Sequence, residues 1–355
     1  MSQRPDIDAP DRLDQRKADH LALCHQEDVE GRHITTLLEQ VHLEHQSLPE
    51  ISYDQIDTRI EVLGKTLRAP LMISGMTGGT DRAREINRIL AQVAQKHGFG
   101  FGLGSQRTMM RDPERAHSYI VRDVAPDVLL LGNLGVVQAA QSSTQQIEDL
   151  VGTVGADALC IHLNPAQEMI QDDGDRDFRG CVDALVRLHQ ELSVPIIAKE
   201  TGAGMSRQTL THIRQSGVPW VDVSGAGGTS WIGVEAMRNS PELASVGDIL
   251  WDWGVPTAAS VLMAKEQNLR IIASGGIRHG LDAARAIALG ADIASAALPW
   301  LRAAMDGGEA RADQVADNML RTLKTVMLLT GSSNIQALQN APKRLGPTLR
   351  DWTRA

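Results

Sequence analysis

The chain has few aromatic residues and no surplus of positive charge, and each shortage excludes a class of protein. Aromatic residues make up 3% of its 355 residues, whereas proteins that bind single-stranded nucleic acid stack bases on aromatic side chains in a basic groove. The formal net charge is -9 at pH 7, which argues against binding to a polyanion surface. A small anionic ligand held by a few local cations remains compatible with this charge.

Cysteine and long apolar runs are scarce as well. Cys24, Cys160 and Cys181 are widely spaced and form no CxxC pair, which is typical of a reduced, cytoplasmic setting. No apolar run approaches the length of a membrane span, and the first residues lack the apolar core of a signal peptide. We therefore expect a cytoplasmic protein with neither a membrane nor a nucleic-acid partner.

The residues that are abundant point to an α/β fold. Glycine occurs 32 times, hydrophobic content is 42% and charged content is 22%, as in globular α/β proteins with many glycine turns. From Ala69 onward, eight apolar strand-like runs alternate with helical stretches. Near-continuous apolar runs indicate strands buried on both faces of a parallel sheet. Eight such units predict a (β/α)₈ TIM barrel with an N-terminal extension and C-terminal helices.

Two regions follow from this pattern: an N-terminal extension at 1–68 and a single barrel domain at 69–355. Within the extension, the first 15 or so residues are polar and predict a mobile tail, and 51–68 predict an extended lead-in. The predicted helices of the barrel are 82–96, 113–124, 145–154, 181–192, 207–215, 256–265 and 281–289. The longer connections at 165–179 and 229–252 are predicted to be catalytic loops.

Glycines after the seventh predicted strand indicate a phosphate site. The run RIIASGGIRHG ends its apolar part at Ala273 and continues with Gly275, Gly276 and Arg278. Glycines let backbone N–H groups approach an anion, and an arginine can clamp it. Barrels commonly bind phosphate at strands seven and eight. The alternative is a tight turn in which the glycines serve only to allow positive φ angles.

Polar side chains at other strand ends form further candidate groups. Lys199 ends the apolar run VPIIAKE, so its ammonium is predicted to enter the barrel mouth beside an anion or a flavin ring, unless it simply pairs with Glu200. In HLNPAQE, His162 and Asn164 face one side of a strand. Glu168 then follows as a partial Mg²⁺ ligand or, alternatively, a surface carboxylate.

A cationic cluster lies near the amino terminus. In RKADHL, Arg16 and His20 are four residues apart and share one helix face, with Lys17 beside them. Local sequence alone favours a solvated helix end for these residues.

Taken together, these motifs resemble the type II isopentenyl diphosphate isomerase family, which interconverts isopentenyl and dimethylallyl diphosphate with FMN. The resemblance runs from residue 16 to residue 299 and is carried in family order by RKADHL, SGMTGGT, GLGSQR, GNLG, HLNPAQE, KETGAG, SGAGGTSW, SGGIRHGLD and ALP. It implies an FMN-binding barrel, Mg²⁺, a small-molecule diphosphate substrate and flavin reduction by NADPH or NADH. It also implies a homo-oligomer, a tetramer or an octamer.

The resemblance assigns roles to individual residues. FMN is assigned to Ser74, Gly75, Met76, Thr77, Ser105, Asn133, Lys199, Ser224, Thr229, Gly276, Ile277, Arg278, Ala297 and Leu298. The substrate is assigned to Arg16, Lys17, His20, Ser105, Gln106, Arg107, His162, Asn164 and Gln167. Mg²⁺ is assigned to Glu168, and the catalytic candidates are Lys199, Gln167 and His162. On this assignment, RKADHL binds substrate and is not a solvated helix end.

Three other functions are weighed against this one. An FMN-dependent 2-hydroxy acid oxidase or dehydrogenase uses the same barrel, but it needs a histidine base, and SGAGGTSW contains none. A purine-nucleotide dehydrogenase needs a loop cysteine, whereas Cys160 is predicted within a strand. A non-enzymatic binding module is disfavoured by the many polar strand ends. The oligomer size, the proton donor and the choice between NADPH and NADH stay open.

Overall fold

The structure is a computed structural model that describes residues 10–354. The part of the predicted tail that precedes Pro10 lies outside these residues. A helix begins at Pro10 and continues to Gln26, so the prediction of a tail that reaches about residue 15 is wrong for its second part.

The strands of the described chain form one closed barrel and two small antiparallel pairs. They are β1 (Val41–Leu43), β2 (Ile60–Val62), β3 (Lys65–Leu67), β4 (Leu71–Ile73), β5 (Gly100–Gly102), β6 (Leu129–Gly135), β7 (Ala158–Leu163), β8 (Ile196–Glu200), β9 (Trp220–Asp222), β10 (Arg270–Ala273), β11 (Ile293–Ala296) and β12 (Lys343–Leu345). Strands β4 to β11 close the barrel in sequence order, with every pairing parallel. The predicted (β/α)₈ barrel is confirmed.

The helices connect and surround these strands. They are α1 (Pro10–Gln26), α2 (Asp81–His97), α3 (Arg107–Arg111), α4 (Val136–Gln141), α5 (Thr144–Val154), α6 (Pro165–Ile170), α7 (Cys181–Glu191), α8 (Arg207–Gln215), α9 (Trp231–Ala236), α10 (Pro241–Ile249), α11 (Thr257–Glu266), α12 (Gly280–Leu289), α13 (Leu298–Leu329), α14 (Ile335–Gln339) and α15 (Pro347–Thr353). Within residues 10–354 no helix combines the length and the apolar character that crossing a bilayer requires.

One predicted helix and two predicted loops differ from the structure. The predicted helix at 113–124 is only a short 3₁₀ segment, Pro113–Ser118, which starts at the Asp112 cap and ends at Tyr119, whose side chain is buried. The two predicted catalytic loops contain helices: α6 lies in the first, and α9 and α10 lie in the second. Of these helices, α6 and α9 present side chains to the mouth of the barrel, namely Gln167, Glu168 and Trp231.

The N-terminal extension closes the barrel from below and pairs with the end of the chain. The predicted lead-in at 51–68 contains the hairpin β2–β3, whose Val62 and Leu67 pack against barrel residues such as Met72 and Leu129. Strand β1 pairs antiparallel with β12, a contact that the sequence pattern does not reveal. The boundary between the two predicted regions stays a prediction.

Helix α1 forms one wall above the carboxyl ends of the strands. Arg302 of α13 donates from Nε to the Cys24 carbonyl (3.1 Å) and from Nη2 to the Glu27 carbonyl (2.9 Å). His25 contacts Asp306 with 2.6 Å between Nε2 and Oδ1. Helix α13 therefore holds α1 in place over the mouth of the barrel.

Candidate active site

One large cavity lies at the carboxyl ends of the strands, under α1. Its empty volume of about 1510 Å³ includes space open to solvent. Most of the predicted site residues line it: Arg16, Lys17, His20, Ser74, Gly75, Met76, Thr77, Ser105, Arg107, Asn133, His162, Asn164, Gln167, Glu168, Lys199, Ser224, Thr229, Gly276, Arg278, Ala297 and Leu298. Lys199 and Arg278 thus meet at a single cavity.

Two predicted site residues lie behind the cavity wall instead of on it. Ile277 is 1% exposed and belongs to the hydrophobic core. Gln106 is fully buried, and its Oε1 accepts a hydrogen bond from the Asn133 backbone N–H at 2.8 Å. Gln106 therefore supports Asn133, which does line the cavity.

Lys199 forms an ion pair that the sequence interpretation missed. Its Nζ lies 3.1 Å from Oδ2 of Asp222 and donates to the Glu200 carbonyl at 2.9 Å. Asp222 is the only carboxylate in the apolar run WVDVS, which begins with β9. This isolated charge in a buried strand was the sequence feature that could have indicated a partner for Lys199. The pair forms because Lys199 and Asp222 are direct neighbours in the register of β8 and β9.

The Glu200 carboxylate turns away from Lys199 and organises the next loop. Its Oε2 accepts hydrogen bonds from the backbone N–H groups of residues 201–204, at distances between 2.5 and 3.1 Å. Burial raises the pKa of Glu200 to about 7, although these bonds favour the ionised form. Thr201 and Gly202 of this loop line the cavity, so Glu200 shapes part of its wall.

His162 is a neutral imidazole with a defined tautomer. Burial, followed by the charges of Lys199 and Arg107, lowers the pKa of His162 to about 3. Asn133 donates from Nδ2 to the Leu103 carbonyl at 3.0 Å. Its Oδ1 is therefore the acceptor for His162 Nδ1–H at 2.9 Å. This assignment leaves Nε2 of His162 as a hydrogen-bond acceptor.

The cations of α1 contact the barrel and are not a solvated helix end. Arg16 donates to the Gln171 side chain at 3.0 Å, and Lys17 lies 3.4 Å from the Ser105 carbonyl and 3.4 Å from the Tyr119 hydroxyl. Burial, followed by repulsion from Arg16, lowers the pKa of Lys17 to about 7. The interpretation from local sequence is wrong here, because this helix packs on the rest of the chain.

Glu235 on α9 is a second carboxylate that the sequence interpretation missed. It is fully buried and accepts hydrogen bonds from His20 (2.8 Å), Gln167 (3.1 Å), Gln171 (2.9 Å) and Arg238 (2.8 Å). Burial opposes its ionisation, but the bond from His20 and the neighbouring Arg238 lower the pKa of Glu235 to about 2. This carboxylate ties α1 to α6 and so positions His20 and Gln167.

The candidate metal ligand Glu168 is buried and already hydrogen-bonded. Its Oε1 accepts from Asn164 Nδ2 and its Oε2 from the Asp175 backbone N–H, each at 2.7 Å. Burial raises the pKa of Glu168, so the alternative of a surface carboxylate is wrong. Among residues 10–354 no three His, Cys, Asp or Glu side chains converge to hold a metal ion. A cation at Glu168 would therefore need ligand oxygens from the substrate and from water.

The glycine loops after β9 and β10 pack directly against each other. Gly275 and Gly276 have φ values of 91° and 73°, a conformation that glycine adopts without strain. An added Cβ on Gly228 would lie 2.2 Å from the backbone nitrogen of Gly276. No acceptor within the described chain takes the backbone N–H groups of Gly276 and Ile277. These free donors favour a phosphate site over a purely structural turn.

The donors of the cavity suit FMN. The loops after β9 and β10 leave backbone N–H groups and the Ser224 and Thr229 hydroxyls for a phosphate, with Arg278 beside them. Lys199 uses two of its three N–H groups within the protein, so one is left for an electron-rich ring. The fit rests on these unused donors.

Comparison with known proteins agrees with this donor set. A family model described as FMN-dependent dehydrogenase matches residues 144–344. The isopentenyl-diphosphate delta-isomerase of Synechococcus sp. is 48% identical over 337 residues, which cover 94% of this chain and 97% of that protein. The enzyme of the same name from Halobacterium salinarum is 44% identical and covers 96% of each chain. That from Methanosarcina mazei is 42% identical, over 96% of this chain and 93% of the relative.

Solved structures of similar fold share little sequence with this chain. A putative lactate oxidase from Pediococcus acidilactici superposes with a TM-score of 0.67 at 13% identity and covers 97% of this chain and 96% of its own. A mandelate oxidase variant with a monooxide FMN adduct gives a TM-score of 0.62 at 14% identity, over 96% of this chain and 98% of that one. These similarities show the fold alone.

Proposed function

The chain belongs to the FMN-dependent isopentenyl-diphosphate delta-isomerase family, and we propose that it interconverts isopentenyl and dimethylallyl diphosphate in the cavity under α1. The observation that carries this proposal is the presence of two cationic groups on one cavity. One comprises Arg16, Lys17 and Arg107, and the other comprises Lys199 and Arg278. These groups would supply donors to two anionic ligands, a diphosphate and a flavin nucleotide.

FMN is proposed to lie against the strand ends β4, β8, β9, β10 and β11. Ser74 to Thr77 would support the ring, Lys199 would face its electron-rich edge, and the loops after β9 and β10 would hold the phosphate. When bound in its reduced form, FMN supplies an electron-rich ring that can give and take the proton required to move the double bond.

The cations of α1 and the β5 loop are proposed to hold the diphosphate of the substrate. Arg16 and Lys17 come from α1 and Arg107 begins α3, so the three cations approach from two sides of the cavity wall. Arginine forks suit phosphate oxygens geometrically, and Lys17 adds a compact charge. The isoprenoid tail is thereby directed towards the flavin.

His162 and Gln167 are proposed to orient the reactants. The neutral His162 offers Nε2 as an acceptor, so it can fix a ligand N–H or O–H but has no proton of its own to donate there. Gln167 donates to Glu235 at 3.1 Å, and its amide does not titrate near neutral pH. We therefore assign Gln167 to orientation of a water or the flavin and not to proton transfer.

Magnesium, nicotinamide reduction and assembly complete the proposal. Mg²⁺ would bind Glu168 together with diphosphate oxygens and waters, which is the usual arrangement for this ion. NADPH or NADH would supply the electrons that keep the flavin reduced. The protein would act in the cytoplasm as a homo-oligomer, a tetramer or an octamer, as the family resemblance implies.

A 2-hydroxy acid oxidase on the same barrel is the principal competing function, and a direct experiment separates the two. The loop from Ser224 to Trp231 contains no histidine base. The other barrel enzyme weighed above, a purine-nucleotide dehydrogenase, needs a loop cysteine, whereas Cys160 lies in the buried interior of the barrel. Oxidised, FMN-loaded protein should be mixed anaerobically with a panel of 2-hydroxy acids. We expect no bleaching of the flavin absorbance, and rapid bleaching with any of these acids would overturn the isomerase assignment.

A test of Glu168 addresses the metal. Conversion of isopentenyl diphosphate should stop on addition of EDTA and resume with excess Mg²⁺. Glu168→Gln should raise the Mg²⁺ concentration required for half-maximal rate by at least tenfold, while the FMN content stays unchanged. An unaltered Mg²⁺ requirement in this variant would remove Glu168 as a ligand.

A further inference from the structure

A buried ion pair crosses the inner wall of the barrel directly below the cavity. Lys199 on β8 and Asp222 on β9 are register neighbours, and Nζ lies 3.1 Å from Oδ2. Their side chains are 11% and 2% exposed, respectively. Lys199 lines the cavity, whereas Asp222 does not. The aspartate therefore does not touch a ligand in the cavity, and it acts on one through the lysine and through its own charge.

Asp222 is fixed from two directions. Its Oδ2 faces Lys199, and its Oδ1 accepts a hydrogen bond from the Ser274 hydroxyl at 2.5 Å. A buried carboxylate with two such partners is strongly held, because losing either partner would leave it with an unmet desolvation penalty. The position of Asp222 is thus determined by β8 and β10 together.

The other titratable groups around this pair add little charge. On β7, burial lowers the pKa of His162 to about 3 and raises the pKa of the Cys160 thiol to about 12, so both are neutral near pH 7. On β8, burial raises the pKa of Glu200 to about 7, and its carboxylate bonds to the backbone of its own loop and not to Lys199. The charges of Lys199 and Asp222 therefore largely cancel each other at this level of the barrel.

We propose that Asp222 is a positioning residue that sets the reduction equilibrium of bound FMN by cancelling most of the positive charge of Lys199. The inference rests on the proposed function, because it requires the flavin ring to lie beside Lys199. Reduction adds negative charge to the ring. An uncompensated ammonium would stabilise that charge strongly in a buried site, whereas a neutralised one does so weakly.

This arrangement suits an enzyme that uses the reduced ring for proton transfer. A strongly stabilised anionic ring would have a lower proton affinity and would therefore be a weaker base for recovering the proton. A lysine compensated by Asp222 keeps the ring oriented through one N–H donor while leaving its affinity for protons high. Asp222 thereby lowers the net positive charge beside the ring, while Lys199 still orients the ring through a hydrogen bond.

The test is a charge cycle read out by the two-electron midpoint potential of the bound flavin. Asp222→Asn should shift the potential in the positive direction, and Lys199→Met should shift it in the negative direction. Each shift should correspond to at least tenfold in the reduction equilibrium, ~30 mV for a two-electron couple. The double variant, which removes the neutral pair as a whole, should return close to the potential of the original protein.

The outcomes distinguish this inference from the proposed function. If Asp222 only holds Lys199 in place, Asp222→Asn and Lys199→Met will both shift the potential negatively, and the inference is overturned. If neither variant changes the potential, the flavin does not lie beside Lys199 and the proposed arrangement of FMN fails as well. Cys160→Ala, an uncharged change beside the pair, is the control and should leave the potential unchanged.

A second neutral variant keeps the test decisive if Asp222→Asn does not fold. Asp222→Ser removes the charge with a smaller side chain, and far-ultraviolet circular dichroism identifies which variants are folded. A folded Asp222→Ser protein should show the same positive shift as Asp222→Asn. A negative or absent shift in it would contradict the inference.

Discussion

Arg278 and Glu30, 248 residues apart in the chain, form an ion pair at the edge of the cavity, with 2.6 Å between Nε and Oε1. The segment around Glu30 also pairs with the loop after β9: Gly31 donates to the Gly228 carbonyl at 3.0 Å, and Ser230 donates to the Val29 carbonyl at 2.8 Å. The N-terminal extension therefore contributes directly to the proposed phosphate site.

This pairing predicts the effect of removing the Glu30 charge. Glu30→Gln should tighten FMN binding severalfold, because Arg278 would meet the phosphate without a competing carboxylate. Riboflavin lacks the phosphate, so its affinity should stay unchanged and serves as the control ligand. Fluorescence titration of both ligands measures the ratio. Equal changes for riboflavin and FMN would mean that Arg278 does not contact the phosphate.

The contact between the two glycine loops predicts a steric effect. In Gly228→Ala the new Cβ would lie 2.2 Å from the Gly276 nitrogen, so the loops after β9 and β10 must separate and FMN affinity should fall by at least tenfold. Gly152→Ala is the matched control. It has no neighbour within 4 Å and lies in α5, where alanine should stabilise the fold by about 0.5–1 kcal/mol. Unchanged FMN affinity in Gly228→Ala would contradict the proposed phosphate site.

The lowered pKa of Lys17 predicts a pH dependence for substrate binding. Burial holds the pKa of Lys17 at about 7 in the free protein, and a bound diphosphate should raise it. Above pH 7 binding then requires uptake of a proton, so affinity should fall by up to tenfold per pH unit. Calorimetry at pH 8 in buffers of different ionisation enthalpy should detect about one proton taken up. Lys17→Met should abolish this uptake, and an unchanged proton count in that variant would refute the assignment.

The hydrogen bonds that Glu235 accepts predict that removing its side chain will lower the free energy of unfolding substantially. Glu235→Ala would leave the Arg238 charge without its buried partner, a loss of about 3–5 kcal/mol in the free energy of unfolding. It should also free His20 and Gln167 and lower turnover. Glu85→Ala is the control, because Glu85 is 61% exposed in its pair with Arg82 and should change stability by less than about 1 kcal/mol. Urea unfolding gives the free energy of unfolding of both variants. Similar losses in the two would contradict a structural role for Glu235.

Lys199 itself is expected to be required for turnover. Lys199→Ala should lower the rate of the reduced enzyme by ~100-fold or more, because the ring loses an oriented donor, even where flavin remains bound. Near-normal turnover with photoreduced enzyme would remove Lys199 from the mechanism.

The barrel was predictable because its signal is local. Runs such as residues 129–135, buried at every position, are apolar apart from Asn133, and each parallel strand is followed by a helix of its own. The polar ends of these strands identified most of the residues that line the cavity. In a barrel all strand ends converge, so no knowledge of pairing was needed.

The contacts that complete the site were not predictable because they join distant segments. Local sequence makes RKADHL a polar helix end, and its burial depends on Glu235, which lies 215 residues after His20. The role of Asp222 became evident only from the strand register, which places it beside Lys199. The pairing of β1 with β12 likewise has no local signal. Family resemblance, and not periodicity, assigned α1 to the site.

Conversion of isopentenyl diphosphate under anaerobic conditions tests the central claim most directly. The purified protein should be loaded with FMN, reduced with dithionite in the presence of Mg²⁺, and followed by proton nuclear magnetic resonance. We expect dimethylallyl diphosphate to form with the reduced flavin and not with the oxidised flavin or without flavin. Absence of product from fully reduced, FMN-loaded protein, or an equal rate without flavin, would contradict this account.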